Sequence, residues 1–216
     1  MSDVFKAVNR TPLAGSEERN AISMIESIKL CINHSTKVRK LEVDDARLDF
    51  KTGYNVVIGP NGSGKSTVLR AIASCPSCRI EKTNVNERVK YVTTETLNPA
   101  HGATFSSREQ MLLGIRALFK SHGQSVLDTL EHQWHEDETI VLIDSPETGQ
   151  DQDNSRFIHQ GLLKMAEDYQ VLVATNSLIF MQHANVIDLG EDYLQRLVYD
   201  TGNLAKELGF PCQGSD

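Results

Sequence analysis

The sequence predicts an α/β fold built on a mostly parallel central sheet with flanking helices. Three observations carry that expectation. Short, largely apolar runs of strand length recur at Asn55–Ile58, Thr139–Ile143, Val171–Ala174 and Val186–Leu189. Segments with helical spacing, Ser66–Ala73 and Asn154–Tyr169, lie between them. A glycine-rich segment, Gly59–Thr67, joins the first of these runs to the first of these helices. Contiguous apolar runs suit strands covered on both faces, and strands alternating with helices suit parallel pairing through crossover connections.

The elements follow in order. Residues 1–26 are polar and mixed, with Thr11-Pro12 and Gly15-Ser16 as breakers, and read as an N-terminal arm. Two short strands are expected near Ser27–Ile32 and Leu41–Phe50, and Lys51-Thr52-Gly53 turns into the buried run ending at Ile58. The stretch 74–105 is the least patterned and contains a strand-like Val89–Val92. Residues 107–119 place Met111, Leu112, Ile115, Leu118 and Phe119 at helical spacing, and Ser125–Trp134 does the same with Val126, Leu127, Leu130 and Trp134. In the helix over Asn154–Tyr169 the apolar positions are Ile158, Leu162, Met165 and Tyr169.

Composition narrows the function classes. The chain has 216 residues, enough for a real core, and 29 acids against 22 bases give a formal charge of −7. That balance argues against general affinity for nucleic-acid backbones. The early basic positions Lys29, Lys37, Arg39, Lys40, Arg47 and Lys51 are read as a solvated face before a nucleic-acid patch, and the acid-rich 131–153 stretch as a solvated edge. No apolar run approaches the roughly 18 residues of a membrane span, and MSDVFKAVNR carries no apolar secretory core. A cytoplasmic protein without a membrane partner is the expectation. Four cysteines in this length do not make a disulfide scaffold. Cys75-Pro76-Ser77-Cys78 is a single C-x-x-C, and with Cys31 and Cys212 far away in sequence it reads as an incidental helix-end pair. His122, His132 and His135 read as solvated positions rather than metal ligands.

Chemistry concentrates in Gly59-Pro60-Asn61-Gly62-Ser63-Gly64-Lys65-Ser66-Thr67, which fits G-x-x-x-x-G-K-[ST] between a strand and a helix. The glycines let backbone N–H groups converge on phosphate oxygens, and the helix N-terminus adds partial positive charge. Lys65 reaches the β- and γ-phosphates, and the Ser66 hydroxyl is a Mg²⁺ ligand. Asp144 ends the Thr139–Ile143 run, at the sheet edge where ligands of parallel sheets bind, and is the second candidate metal ligand.

Taken together, these segments resemble the ABC-type P-loop ATPase superfamily. Gly59–Thr67 looks like its Walker A, Val141–Asp144 like Walker B, and Ser121-His122-Gly123-Gln124 like its signature motif. Asp144-Ser145-Pro146-Glu147 and the following residues are in register with D-E-P-x-x-x-x-D, which puts Asp151 on the D-loop. Val173-Ala174-Thr175-Asn176-Ser177 is similar to the switch segment, and Thr94-Glu95 to the Q-loop region. The closest likeness is to small AAA-type ATPases of the ABC class. The short segment between Lys65 and Ser121 leaves no room for a transporter's helical subdomain, and no heptad run is present.

The resemblance implies a single domain over 27–205, with a small antiparallel β subdomain, a short helical insertion near 95–125 and a tail over 206–216. It implies ATP and Mg²⁺ as ligands. It also implies a head-to-tail homodimer or heterodimer in which Ser121, Gly123 and Gln124 of one chain face ATP held by the other. The role implied is a nucleotide-gated switch with a protein partner, in settings such as DNA repair or anti-phage defence. The sequence departs from the family at two positions. The catalytic Glu position after the Walker B Asp is Ser145, and the switch His position is Asn176. Serine is no comparable general base, so Glu147 and Glu95 stand beside Lys65, Asp144 and Asn176 as candidate catalytic residues. A non-hydrolysing ATP-dependent interaction module is the alternative, and a P-loop phosphotransferase a further one. The adenine contact stays open among His34, Lys37 and Arg39, as does ATP against GTP.

Overall fold

The computed structural model describes residues 24–38, 46–84, 88–93 and 138–210. The two helices expected over 107–119 and 125–134, the insertion near 95–125, Trp134 and the histidines 122, 132 and 135 lie outside the described residues.

Two sheets organise the chain. Strands β1 (Ile25–Lys29), β2 (Arg47–Asp49) and β4 (Arg79–Lys82) form a small antiparallel sheet in the order β2-β1-β4. Strands β3 (Tyr54–Ile58), β5 (Arg88–Thr93), β6 (Glu138–Asp144), β7 (Gln170–Ala174) and β8 (Asn185–Asp188) form a parallel sheet in the order β5-β6-β7-β3-β8. The helices are α1 (Ile32–Ser35), α2 (Lys65–Ser74), α3 (Gln152–Met165), α4 (Leu178–Met181) and α5 (Tyr193–Glu207). The expected strands, that over Leu41–Phe50 in its described part, and the helices at 66–73 and 154–169 are present, most with ends that differ by a few residues. The sequence reading did not find β4, α1, α4 or α5.

Why the apolar runs are contiguous is now plain. Every residue of β3 and β7 is buried, and successive side chains serve two different cores because strand side chains alternate faces. Val57, Ile140, Leu142, Leu172 and Ala174 join one cluster with Val68, Leu69 and Ile72 of α2 and with Ile25, Ile28 and Leu48 of the small sheet. Val56, Ile58, Val141, Ile143, Val171 and Val173 join the other, with Ile158 and Leu162 of α3 and Phe180 of α4. Leu194 and Leu197 of α5 pack on the rim of that second core. The parallel sheet is therefore covered by α2 and the small sheet on one face, and by α3, α4 and α5 on the other.

One side chain locks the two sheets together. Gln170, at the start of β7, is fully buried. Its Oε1 accepts from the Ile25 N–H at 2.7 Å, and its Nε2 donates to the Ile25 carbonyl at 2.9 Å and the Lys51 carbonyl at 3.0 Å. The glutamine thus satisfies three backbone groups that neither sheet's ladder reaches. On the opposite face, His159 of α3 is 4% exposed, contacts the Tyr54 and Phe180 rings, and lies with Nε2 3.1 Å from the Gln182 carbonyl.

Two expected outcomes follow from these buried polar groups. Gln170→Leu keeps the volume but strands buried donors and acceptors, so unfolding in urea should register a loss of about 2–4 kcal/mol. Burial depresses the His159 pKa, with His183 adding to that direction and the Gln182 hydrogen bond opposing it. The unfolded chain then takes up this proton first as pH falls below about 6.5, so the histidine's contribution is present above that pH and is lost as pH drops through the folded value. Thermal midpoints should fall between about pH 7.5 and about pH 5, and the fall should be smaller in His159→Gln.

Candidate functional site

Strand order decides where the motifs meet. β6, β7 and β3 are neighbours, and Asp144, Ala174 and Val57 stand level across them. Their carboxyl ends therefore deliver Asp144, the Thr175-Asn176 segment and the glycine-rich loop to one edge of the sheet, the edge at which parallel α/β sheets bind ligands.

The loop is shaped for close approach. Gly59 has φ 149° and Gly64 has φ 103°, conformations that side chains with a Cβ rarely adopt. A Cβ on Gly59 would lie 2.5 Å from Ser63 Oγ, and one on Gly64 would lie 2.7 Å from Val38 Cγ2 and 2.8 Å from the Lys37 carbonyl oxygen. Gly64 leads directly into α2, so that helix points its free N–H groups at the loop. Lys65 is 8% exposed, and its Nζ donates to the Gly59 carbonyl at 2.7 Å and the Pro60 carbonyl at 3.2 Å. Burial pushes its pKa down, and the nearby carboxylates of Glu147 and Asp144 push it back up. Ser63 Oγ is buried without a partner.

Beside the loop sit the candidate metal ligands. Ser66 Oγ donates to Asp144 Oδ1 at 3.0 Å, across 78 positions of sequence. Asp144 Oδ2 accepts from the Tyr91 hydroxyl at 3.0 Å, and Tyr91 in turn accepts from Arg70 Nε at 3.3 Å. Burial, with Asp144 alongside, raises the Tyr91 pKa, which keeps this hydroxyl a donor. Sequence reading missed Tyr91: the strand was visible, but nothing in it signals which residue faces Asp144.

The two departures from the family pattern acquire a geometry. Ser145 has φ 55°, a left-handed backbone at a non-glycine residue, and its Oγ donates to Asp144 Oδ1 at 3.2 Å. The chain then turns so that the Glu147 carboxylate comes back toward the loop. Its Oε1 accepts from the Asn176 N–H at 2.9 Å, while Oε2 is buried without a partner. Asn176 Nδ2 donates to Asn61 Oδ1 at 2.8 Å, and its own Oδ1 is also buried without a partner. Glu147 and Asn176 also line a cleft of about 340 Å³, with Asp151, Ser155, Leu178 and Thr201. Asp151 is the N-cap of α3, with Oδ1 accepting from the Asn154 N–H at 2.7 Å.

Several expected site residues are not placed. Glu95, Ser121, Gly123 and Gln124, and Arg39 among the adenine candidates, lie outside the described residues. Of the other adenine candidates, His34 has its Nδ1 at 3.3 Å from Cys31 Sγ and 3.4 Å from Cys78 Sγ. The same arrangement overturns the reading of Cys75 and Cys78 as an incidental pair remote from Cys31: their side chains converge because β1 and α1 fold against the end of α2.

The AAA domain family matches residues 36–184, so the chain belongs to that family. At the level of the family it is an ATP-binding P-loop ATPase, and its motifs resemble those of the ABC-type class. Comparison with curated proteins returned no match. Among solved structures, the dimeric bacterial ABC transporter cassette MJ0796 is similar at 21% identity over 67% of this chain and 84% of that one, with a TM-score of 0.46. A post-hydrolysis dimer of the same cassette bound to ADP and Pi is similar at 20% identity over 67% and 84%, with a TM-score of 0.44. No helix among the described residues is long and apolar enough to cross a membrane.

The loop's tightest position is directly testable. Gly64→Ala should lower stability by about 1–3 kcal/mol in urea unfolding, because the new methyl group must displace Val38 or the loop. Titration with a fluorescent ATP analogue should show weakened binding in the same variant.

Proposed function

We propose that this chain binds Mg-ATP on Gly59–Thr67 and hydrolyses it slowly within a head-to-tail dimer, serving as a nucleotide-gated switch for a protein partner. The observation that carries the hydrolytic part is the Glu147 carboxylate. It is held by the Asn176 N–H, keeps one buried oxygen without a partner, and lies near enough to Lys65 to act on its charge.

The residues present fit the group that the reading requires. Ser66 Oγ and an Asp144 oxygen are hard donors already in contact, the donor type that Mg²⁺ selects. Bound there, Mg²⁺ supplies positive charge to the β- and γ-phosphates. The protein's own steps are then these. Lys65 exchanges its two loop carbonyls for phosphate oxygens, which restores full hydrogen bonding to a buried ammonium. The loop N–H groups and the α2 N-terminus hold the phosphate chain. Glu147 Oε2 and Asn176 Oδ1 accept the two hydrogens of one water and aim its lone pair at the γ-phosphorus. As the water oxygen bonds to phosphorus, the bond to the β–γ bridging oxygen breaks, ADP leaves, and the water proton passes to Glu147 or onward to the phosphate. Ser145 takes no part as a base, since its hydroxyl donates to Asp144. Ser121, Gly123 and Gln124 of a second chain would close the site, with Asp151 at the dimer seam. Glu95 is a second carboxylate proposed for the water or the metal.

A non-hydrolysing interaction module is the second reading, favoured by Ser145 and Asn176 where the family has Glu and His. Phosphate release and light-scattering mass with Mg-ATP separate the two. Native chain should form ATP-dependent dimers and release phosphate, and Lys65→Ala should lose both. Glu147→Gln should keep the dimer while turnover falls by about 10²–10⁴. Unchanged turnover in Glu147→Gln would remove that residue from the chemistry. Dimers without phosphate release from the native chain would leave the interaction module standing.

A further inference from the structure

We propose that Cys31, His34, Cys75 and Cys78 form a structural zinc site that ties the segment after β1 to the carboxyl end of the P-loop helix α2. One ligand atom from each of the four side chains lies within 4.8 Å of every other. Cys31 Sγ is 3.3 Å from His34 Nδ1 and 3.9 Å from Cys75 Sγ, and Cys78 Sγ is 3.4 Å from His34 Nδ1. Zinc bonds of about 2.3 Å to sulfur and about 2.0 Å to nitrogen give a tetrahedron with edges of about 3.8 Å between sulfurs and about 3.5 Å between sulfur and nitrogen. The observed separations are those of four groups facing one common centre.

Local backbone explains how they get there. Cys31-Ile32-Asn33-His34 and Cys75-Pro76-Ser77-Cys78 each place two ligands three residues apart, and both sit at helix ends. Cys31 occupies the N-cap of α1 with extended backbone, and its side chain makes no capping bond. Cys75 is the C-cap of α2. A backbone N–H already points at one of the sulfurs: that of Cys31 donates to Cys78 Sγ at 3.3 Å. Such donors stabilise ligated thiolates and fix their orientation. Among the described residues no carboxylate joins the group, and three sulfurs with one imidazole select zinc over Mg²⁺ or Ca²⁺. Four protein ligands leave no open position, so the site is structural rather than catalytic.

It is separate from the nucleotide site, which lies at the other end of α2. The two communicate through one short segment. Cys31 and His34 hold its start to the end of α2, while Lys37 and Val38 rest on Gly64 at the beginning of α2. The ion would therefore fix the wall against which the P-loop glycine packs.

The test uses the full chain, produced without a polyhistidine tag. After reduction, exposure to Zn²⁺ and removal of loose metal, we expect about one zinc per chain. With Co²⁺ in its place, a tetrahedral d–d spectrum with thiolate-to-cobalt charge transfer should appear, and X-ray absorption should show three sulfur neighbours and one nitrogen. Cys31→Ser and His34→Ala should each weaken zinc retention at least about tenfold, and Cys212→Ser should leave it unchanged. Octahedral cobalt without charge transfer in the native chain, or negligible zinc, would overturn the proposal even where the variants fail to fold. So would a Cys31–Cys75 disulfide that persists as the stable native form with no metal bound.

Discussion

The buried Gln170 side chain is the constraint on which the arrangement of the two sheets depends. A small antiparallel sheet and a parallel sheet each close their own ladders, but neither can satisfy the backbone where one passes over the other. Gln170 does so by accepting from and donating to Ile25 while also holding the Lys51 carbonyl. With β1 fixed in this way, Ile25 and Ile28 fill the same core as Val57, Leu142 and Leu172. The chain leaving β1 is then delivered to α2, where it meets both the end of that helix at Cys75 and its beginning at Gly64.

The chemistry sits on the opposite logic, that of parallel strand ends. Three adjacent strands finish at the same level, and each contributes one part: the loop after β3, Asp144 from β6, and Asn176 after β7. The polar groups there are bound mainly to each other. Lys65 holds loop carbonyls, Ser66 and Tyr91 hold Asp144, and Asn176 holds Asn61. A site whose donors are paired among themselves can exchange those bonds for phosphate and metal without moving the strands, which keeps the reorganisation cost small. The exceptions among the described residues are Ser63, Glu147, Gln150 and Asn176, each with a buried oxygen still to be satisfied. Unpartnered buried oxygens are costly, and they gather at functional sites where a ligand supplies the missing bond.

Much of this was legible in sequence. β3, β6 and β7 announced themselves because strands buried on both faces must be apolar at successive positions. The glycine loop was legible because its backbone conformations at Gly59 and Gly64 tolerate little else. Other parts were not. β4 carries Arg-Ile-Glu-Lys and is only partly buried, so no alternation marks it. α5 contains no fully buried residue, and its apolar stripe merely rims a core built by others. His159 gave no sign of being buried, since a helix pattern does not reveal which polar residue faces Phe180 and Tyr54.

The sequence by itself determined the class of fold, the phosphate loop and the carboxylate at the end of β6, because each is a local pattern whose residues are contiguous or terminate one element. Tertiary structure alone decided what those residues touch. Tyr91 reaches Asp144, Glu147 turns back to Asn176, and two half-motifs separated by 44 positions, at Cys31 and Cys75, become one cluster of four ligands. The reason is physical: bonds between distant segments form only after the hydrophobic faces of two sheets and a helix have been packed. A pattern read along the chain records periodicity, but not which buried face meets which.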